Sequence, residues 1–252
     1  MTLKERLLKR DVLLGTFLGL PSPQITEMVG YAGYDFALLD LEHGIFGVES
    51  TDQCLRAGAS VGLPFMVRVG ELNARLIQSA LDLGADGIQV PQVDSAEAAS
   101  VAVEFASFPP YGVRGYGSTT RAAGFGFRNR STVCQTANND LIVSIQIESK
   151  QGVENLDKIL AVRGVDVIFI GTSDLSLSYG YDSPNHPEVV SLVAEIIPQI
   201  KQAGKVAGIF LSDWNQIDHL KNLGVTYFTV HATALIKSSL QNQVDVFRNS
   251  IE

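Results

Sequence analysis

Helix-like segments that end in glycine and lead directly into short apolar runs recur along the chain, and this joint most constrains the fold. Four of the joints read AGYD, LGADG, VRGVD and NLGVTY. Glycine is favoured just past the end of a helix because it adopts left-handed backbone angles without a steric penalty. A chain that repeats this joint is predicted to consist of successive βα units.

Eight apolar runs are predicted to be strands, and most of them lack a clean alternation of apolar and polar residues. Such continuous runs are typical of parallel strands that are covered on both faces. Eight βα units in 252 residues predict a single-domain (β/α)8 barrel, the TIM-barrel architecture, over 1–252. The predicted strands are Leu13–Leu18, Asp35–Asp40, Phe65–Val69, Gly87–Val90, Ile142–Ile147, Val167–Ile170, Val206–Phe210 and Tyr227–Val230.

A doubly wound open sheet is the main alternative architecture. It normally carries a glycine-rich phosphate-binding turn after its first strand, whereas this region reads GTFLGLPSP. One long segment, Phe108–Asn129, departs from the βα pattern and is rich in Gly, Pro, Arg and aromatic residues. A loop of that length is usually functional or flexible. Helices are predicted over Ser22–Tyr31, Asn73–Leu83, Ser95–Ala106, Pro187–Gln202 and Ser212–Asn222.

Charge and cysteine content exclude several classes of protein. With 19 Lys+Arg against 27 Asp+Glu, the formal charge is −8, which disfavours a general binder of nucleic acid or anionic membranes. Cys54 and Cys134 are too few for a disulfide scaffold or a four-cysteine zinc site. No apolar run is long enough for a transmembrane helix, and residues 1–14 lack the apolar core of a signal peptide. We therefore expect a cytoplasmic protein.

Polar residues with reactive side chains gather at the predicted carboxyl ends of the strands, where a barrel places its working residues. Glu148 and Asp174 leave adjacent strands. Two carboxylates together with water and substrate oxygens suit Mg²⁺ or Mn²⁺. Alternatively, each carboxylate caps a helix, a role that Asp and Glu often take in a first turn.

Three further positions on this rim are candidates for chemistry. His43, with Asp40 and Glu42 nearby, resembles a tuned general base, or else a hydrogen-bonded histidine of the rim. Arg68 follows the third strand and could stabilise a developing enolate oxygen, or pair with a neighbouring acid. Thr172, Ser173 and Asp174 begin a helix whose backbone N–H groups could hold a substrate carboxylate. His231 follows the last strand.

Other charged residues fit the chemistry less well. Asp82 lies at the end of a predicted helix, on the barrel face opposite His43, and is interpreted as structural. A Schiff-base aldolase needs a buried lysine with a depressed pKa. Lys205 opens a strand and is on the wrong face, and Lys150 is expected to point to solvent at a helix start, so imine chemistry is disfavoured.

Several strings together resemble the HpcH/HpaI aldolase family of metal-dependent class II 2-oxo-acid aldolases. The resemblance extends from about residue 3 to 224, in the order and spacing of the family. As a set the motifs are highly specific, although each alone is weak. They are Ser22-Pro23, DFALLDLEHG at 35–44, PFMVRV at 64–69, LDLGADGIQVPQV at 81–93, FPPYGVRG at 108–115, IQIES at 145–149 and GVDVIFIGTSDLSLSYG at 164–180.

The resemblance implies roles for residues at matching positions. Glu148 and Asp174 match the ligands of a divalent metal, Mg²⁺ or Mn²⁺ with Co²⁺ as a further candidate. Arg68 matches the residue that stabilises the enolate, and His43 the catalytic base. Asp82 matches an aspartate that raises the basicity of this histidine. Gln146 and Ser173 match positions that contact the oxo acid.

The family reaction is the reversible cleavage of a 4-hydroxy-2-oxo acid to pyruvate and an aldehyde through a metal-stabilised enolate. The family forms hexamers with active sites at subunit interfaces, so Asp82 could act from a neighbouring subunit. Leu211 and the 108–129 segment are candidates for the aldehyde pocket, where Arg114 or Arg121 could pair with a distal carboxylate.

The sequence also departs from the family pattern and leaves alternatives open. The family often has Gly-Pro in a GPxDLS string before the second metal aspartate, whereas this chain reads Gly171-Thr172-Ser173-Asp174, which should preserve the ligand. After the last strand, His231 stands where a glycine or acidic turn is usual, which affects the expected acceptor specificity and not the core chemistry. The rival functions are a CoA-thioester lyase of the citrate-lyase-β or malyl-CoA type, a Schiff-base aldolase that uses Lys150, and a non-catalytic barrel that binds an oxo acid.

Overall fold

The eight apolar runs form eight parallel strands, and the last strand pairs with the first to close the sheet. A computed structural model describes residues 1–251. Neighbouring strands follow the order of the sequence around the barrel, and Leu13 to Phe17 of the first strand pair with Tyr227 to His231 of the last. The predicted (β/α)8 barrel is confirmed. The strands are β1 Leu13–Leu18, β2 Phe36–Asp40, β3 Phe65–Arg68, β4 Gly87–Val90, β5 Ile142–Ile147, β6 Val167–Ile170, β7 Val206–Phe210 and β8 Val225–His231.

Helices surround the barrel, most of them connecting one strand to the next. They are α1 Leu3–Leu8, α2 Pro23–Tyr31, α3 Val48–Ser60, α4 Ala74–Asp82, α5 Ala96–Ala106, α6 Arg130–Asp140, α7 Lys150–Glu154, α8 Leu156–Leu160, α9 Thr172–Ser178, α10 Pro187–Gln202, α11 Ile217–Leu223 and α12 Ala232–Asn249. Within the described residues no helix is both long and apolar enough to cross a bilayer.

Alternate residues of each strand point to opposite faces, and the two faces are both buried. One set packs under the helices, as Leu39, Val67 and Ile145 do. The other set fills the barrel interior, and α1 closes the amino-terminal end of this interior with Leu3 and Leu7. The double burial explains why the strands read as continuous apolar runs. The interior residues are Leu13, Phe17, Phe36, Leu38, Met66, Ile142, Val167, Phe169, Val206 and Tyr227.

The helices α6 and α12, which are among those that the sequence analysis did not predict, bury almost nothing against the barrel. None of the residues of α6 is buried, and Ala232 is the only buried residue of α12. The apolar side chains of α12 instead lie exposed, including Leu240 and Phe247 at 65% and 64%. α6 has little apolar periodicity, whereas Ile236, Leu240, Val244 and Phe247 repeat at helical spacing along α12, a pattern that the sequence analysis overlooked.

The long segment between α5 and α6 lies at the amino-terminal end of the barrel, opposite the strand carboxyl ends. As expected it is mostly irregular, with one 3₁₀ turn at Gly124–Gly126. Its Arg114 side chain bonds Asp82 at the end of α4, through Nη2 and Oδ1 at 2.9 Å. These residues line a cavity of about 580 Å³. Within one chain, this position differs from the expectation that the segment lines an aldehyde pocket, because a connection that leaves a helix carboxyl end returns to the strand starts.

Candidate active site

The carboxyl end of the barrel interior is polar where the rest of the interior is apolar. Inward-facing positions near the strand ends carry Asp40 on β2, Arg68 on β3 and Gln146 on β5. All three are buried, at 3%, 8% and 2% exposure. Buried polar groups persist only when hydrogen bonded, so the contacts among these residues define the site.

Arg68 and Asp40 form a bidentate ion pair across two neighbouring strands. Their Cα atoms are partners in the β2–β3 register, so the side chains start side by side. Arg68 Nε donates to Asp40 Oδ1 at 2.9 Å, and Nη2 donates to Oδ2 at 2.7 Å. Burial alone would raise the pKa of Asp40, but the hydrogen bonds and charge of Arg68 outweigh it and the pKa is lowered. Asp40 is therefore ionised at neutral pH.

The same carboxylate shapes the loop that follows β2. Asp40 Oδ1 accepts the backbone N–H groups of Glu42 and His43, at 3.1 and 3.2 Å. Glu42 also forms an ion pair with Arg68, with 3.0 Å between Glu42 Oε2 and Arg68 Nη1. The pKa of Glu42 is nevertheless raised, since burial outweighs the attraction of Arg68. Arg68 and the loop that carries His43 are thus held by one shared set of acids.

A line of buried side-chain amides orients Glu148. Ser144 Oγ donates to Gln89 Oε1 at 3.0 Å, and Gln89 Nε2 donates to Gln146 Oε1 at 2.6 Å. The Gln146 carbonyl is thereby fixed toward Gln89, which turns its amide nitrogen toward Glu148 Oε2. The backbone N–H of Gln92 donates to the other oxygen, Glu148 Oε1, at 2.7 Å.

Glu148 carries a buried negative charge that no cation in the described residues pairs with. Burial raises its pKa, the hydrogen bonds from Gln92 and Gln146 lower it, and the charges of Glu42 and Asp174 raise it further. Gly171 lies against the carboxylate so closely that a Cβ atom there would collide with Glu148 Oε2. The glycine therefore leaves the space that the carboxylate occupies, and the burial of its charge costs free energy.

Asp174, Ser173 and Thr172 lie in the first turn of α9, immediately after β6. Asp174 and Ser173 are exposed and Thr172 is half-buried. Asp174 is close enough for its charge to raise the pKa values of both Glu42 and Glu148. The acids that the sequence singled out on strands β5 and β6 are therefore brought together.

The donor chemistry fits a divalent cation that prefers oxygen ligands. Glu148 and Asp174 supply two carboxylates, and Glu42 is already paired with Arg68. No cluster of three or more His, Cys, Asp or Glu side chains that could hold a metal is present in residues 1–251. Mg²⁺ and Mn²⁺ tolerate such a set because they take few protein ligands and keep several waters. A cation would also relieve the repulsion that raises the pKa of Glu148.

His43 lies at the rim, on the loop after β2. Its side chain is 67% exposed, with Nε2 at 3.9 Å from Glu42 Oε2. Asp82 does not meet it in this chain, because Asp82 bonds Arg114 at the amino-terminal end of the barrel. The geometric interpretation of Asp82 as a residue of the opposite face agrees with this position.

The positions of Leu211 and the lysines follow from strand geometry. Leu211 directly follows inward-facing Phe210, so its side chain points outward into the layer under the helices. It does not line the mouth of the barrel, which differs from the prediction. Lys150 is exposed at the start of α7. Lys205 donates to the carbonyls of Val162 and Val165 at the opposite end, far from the acids.

Aromatic side chains line the mouth on β7, β8 and β1, and sequence reasoning missed this wall. The ring of His231 lies 5.0 Å from that of Phe17 and 4.9 Å from that of Phe210, centroid to centroid. The guanidinium carbon of Arg68 lies 4.9 Å from the Phe17 centroid. Strand alternation would have revealed the wall, since Phe17 and His231 are also register partners.

Comparisons with known proteins identify the family of the chain. A family model described as HpcH/HpaI aldolase/citrate lyase matches residues 13–233. A 2-keto-3-deoxy-L-rhamnonate aldolase of Escherichia coli strain K12 is 36% identical over 249 residues, which cover 98% of this chain and 92% of that protein. Its name describes a carbon–carbon lyase.

Two solved structures are similar over nearly their whole length. An HpcH/HpaI aldolase/citrate lyase family protein from Burkholderia cenocepacia J2315 has a TM-score of 0.89 and 35% identity, covering 97% of this chain and 98% of that one. An HpcH/HpaI aldolase from Desulfitobacterium hafniense DCB-2 has a TM-score of 0.93 and 28% identity, covering 98% and 97%. The chain therefore belongs to the HpcH/HpaI aldolase/citrate lyase family and is a carbon–carbon lyase.

Proposed function

We propose that this protein is a divalent-metal-dependent class II aldolase that reversibly cleaves a 4-hydroxy-2-oxo acid to pyruvate and an aldehyde. The observation that carries the proposal is the buried carboxylate of Glu148, held by Gln92 and Gln146 and facing Asp174 without a compensating cation. Mg²⁺ or Mn²⁺, or alternatively Co²⁺, would be held by Glu148 and Asp174. A bound divalent ion acts as a Lewis acid that polarises the oxo group of the substrate.

Arg68 is positioned to stabilise the enolate of pyruvate. A guanidinium has five N–H donors. Arg68 uses three of them in hydrogen bonds to Asp40 and Gln146, and its Nη1 also lies 3.0 Å from Glu42 Oε2. The second N–H of Nη2 has no acceptor among the described residues and is free for an oxygen of the substrate. Because its acids hold the group rigidly, the arginine needs little reorganisation as charge develops, which is how preorganised donors lower a barrier.

His43 is the proposed base. In the cleavage direction it accepts the proton of the 4-hydroxyl group while the bond between carbons 3 and 4 breaks, and it then gives this proton to carbon 3 of the enolate to yield pyruvate. In the aldol direction the same two proton transfers run in reverse. The side chain of His43 is exposed within one chain, so a residue of a neighbouring subunit has room to contact it. We propose that the protein is a homo-oligomer, a hexamer by resemblance, in which the Asp82 of an adjacent copy raises the basicity of His43.

The substrate class follows from the acids and from the named relative. The Escherichia coli protein is a 2-keto-3-deoxy-L-rhamnonate aldolase, and a 2-keto-3-deoxy acid is the same class of compound as a 4-hydroxy-2-oxo acid when its 4-hydroxyl is retained. We assign Gln146, Ser173 and Thr172 to the oxo-acid end of such a substrate. The reaction needs no nucleic acid or membrane partner, and we place it in the cytoplasm.

Exchange of the C3 protons of pyruvate in D₂O tests the proposal without knowledge of the aldehyde. Measured by NMR, exchange is expected with Mg²⁺ or Mn²⁺ and is expected to stop with EDTA. Glu148→Gln and Asp174→Asn should abolish it in folded protein, whereas Glu154→Gln on the exposed face of α7 should not. Exchange that survives EDTA, with borohydride trapping of pyruvate on Lys150, would instead support imine chemistry. No exchange under either condition would favour a CoA-thioester lyase or a non-catalytic barrel.

A further inference from the structure

His231 occupies a position at the mouth of the barrel that the proposed reaction does not yet use. It is the last residue of β8 and shares the inward face with Tyr227, four residues earlier. Its ring lies between Phe17 and Phe210, at centroid distances of 5.0 and 4.9 Å. Phe17 in turn lies beneath the guanidinium of Arg68. His231 is therefore one aromatic ring away from the arginine assigned to the enolate.

The polar atoms of His231 are free, unlike those of its polar neighbours. Asp40, Arg68, Gln146 and Glu148 are all hydrogen bonded to one another or to backbone N–H groups. In residues 1–251 neither ring nitrogen of His231 forms a hydrogen bond. The imidazole thus lies between two tilted phenyl rings, with interplanar angles of 34° to Phe17 and 48° to Phe210, while its ring nitrogens remain available.

The surroundings keep this imidazole neutral. Burial lowers the pKa of His231, and the positive charge of Arg68 lowers it further, against the opposing charge of Asp40. A neutral imidazole offers one N–H donor and one acceptor nitrogen. Such an edge complements a hydroxyl group, which also donates and accepts, better than it complements a carboxylate or an ammonium group.

The layout of the mouth determines which part of a substrate meets His231. The acids lie on the arc from β2 to β6, where Glu42, Glu148 and Asp174 follow their strands. The aromatic wall lies on the remaining arc, β7, β8 and β1. An oxo acid held at the acids and Arg68 therefore directs its far end, the carbons that become the aldehyde, toward Phe17, His231 and Phe210.

We propose that His231 is a specificity-determining residue that recognises a hydroxyl group next to the aldehyde carbon, so that the enzyme prefers 2-hydroxyaldehydes to simple aldehydes. Phe17 and Phe210 hold the imidazole edge toward the hydroxyl and supply an apolar surface for the carbon chain. This role rests on the proposed aldolase function. It is separate from the acids and from His43, because it concerns the acceptor and not the enolate.

The test compares two aldehydes that differ only in this hydroxyl, 2-hydroxypropanal and propanal, each added to pyruvate with Mn²⁺. His231→Phe keeps a flat ring between Phe17 and Phe210 but removes both polar atoms. The ratio of kcat/KM for 2-hydroxypropanal over propanal should fall about tenfold, the value of one lost hydrogen bond to a substrate. His231→Gln, which restores a donor and an acceptor, should recover part of the preference. His219→Phe is the matched control on exposed α11.

Pyruvate C3 exchange separates this inference from the function on which it rests. His231→Phe should retain exchange, because that half-reaction involves no aldehyde. An unchanged aldehyde ratio in folded His231→Phe would overturn the inference and leave the aldolase intact. Loss of exchange in parallel with aldol addition would also overturn it, and would make His231 part of the enolate chemistry. Absence of exchange in the wild-type protein would remove the aldolase function and this inference together.

Discussion

Arg68 is the residue on which most of the polar contacts of the site converge. Its buried guanidinium pairs with Asp40 and Glu42, contacts Gln146 and lies over the ring of Phe17. Sequence reasoning offered two interpretations, a partner of a neighbouring acid and a stabiliser of an enolate. The geometry makes these compatible, because ion pairing orients the group and leaves one N–H free.

Arg68→Ala should lower kcat for aldol cleavage by about 10²-fold or more, the scale of a lost oxyanion donor. Arg68→Lys should recover little, because a lysine cannot bond Asp40 through two nitrogens. Steady-state kinetics with a circular dichroism spectrum of each variant would check this. Arg56→Ala, which removes an exposed arginine paired with Asp52 on α3, is the control and should keep full activity. Normal kcat in Arg68→Ala would remove Arg68 from the mechanism.

Asp40 should contribute to stability in a pH-dependent way. Its pKa is lowered in the folded protein, so its stabilising contribution is complete above the ordinary value of 3.8 and is lost as pH falls through the lower folded value. Asp40→Asn should therefore cost about 3–5 kcal/mol at pH 7, as expected when a buried ion pair loses one partner.

The cost should shrink once the pH falls below 3.8, because the carboxyl of the unfolded chain is then protonated and the contribution is lost as pH approaches the lowered pKa of the folded protein. Urea denaturation of both proteins at pH 7, 4 and 3 would measure it. Asp52→Asn, in an ion pair at the surface, should change the unfolding free energy by only about 0–1 kcal/mol at any of these values. An equal penalty for Asp40→Asn at pH 7 and pH 3 would contradict the assignment.

At the scale of the elements, α1 acts as the closure of the barrel interior. Thr2 and Glu5 form a capping box that starts the helix, and Leu3 and Leu7 join the interior cluster. The strands alone would leave the interior open to water at this end. The helix therefore contributes to the stability of the barrel although it precedes the first strand.

Leu7→Ala should lower the unfolding free energy by about 2–5 kcal/mol, the usual cost of a leucine truncated in a core. Leu8→Ala is its matched control one position along the helix, because Leu8 is 70% exposed. That change should cost less than about 0.5 kcal/mol. Equilibrium denaturation of the two variants compares them directly, and similar losses would mean that α1 does not close the interior.

The strands could be predicted closely because burial on both faces requires a continuous run of apolar residues, which is visible in the local sequence. β1, β4, β5, β6 and β7 have the predicted bounds, while β2 and β3 are shorter by one residue and β8 is longer. The helices that pack on the barrel also leave a local pattern. α6 lacks such a pattern and buries nothing within this chain, whereas α12 carries an apolar repeat that is exposed within this chain and that the sequence analysis overlooked.

At the scale of the whole molecule, an exposed apolar helix face and the distance of Asp82 from His43 bear on assembly. The apolar side chains of α12, such as Leu240 and Phe247, are exposed, and Asp82 lies with Arg114 at the end of the barrel opposite His43. Contiguous exposed apolar residues mark interaction sites in soluble proteins. Both observations agree with the proposal that copies of this chain assemble and share their active sites.

Mixing two inactive variants should restore activity if Asp82 acts from a neighbouring subunit. His43→Ala and Asp82→Ala chains, produced together, would form some sites with His43 from one chain and Asp82 from the other. Random assortment gives about one quarter of the wild-type sites. Light scattering would establish the assembly, and initial rates the recovery. Activity no greater than the sum of the separate variants would place both roles within one chain or remove Asp82 from the reaction.

The sequence by itself determined the barrel and the strand-end positions of His43, Arg68, Glu148 and Asp174, because strand burial and chain direction are local properties. Tertiary structure decided which of these groups meet. The pairing of Arg68 with Asp40 depends on strand register, and the hold on Glu148 depends on amides from two strands. The side chain of Leu211 points outward and that of His231 points inward, as strand alternation requires. Contacts between distant segments arise only when the sheet closes, so no local pattern encodes them.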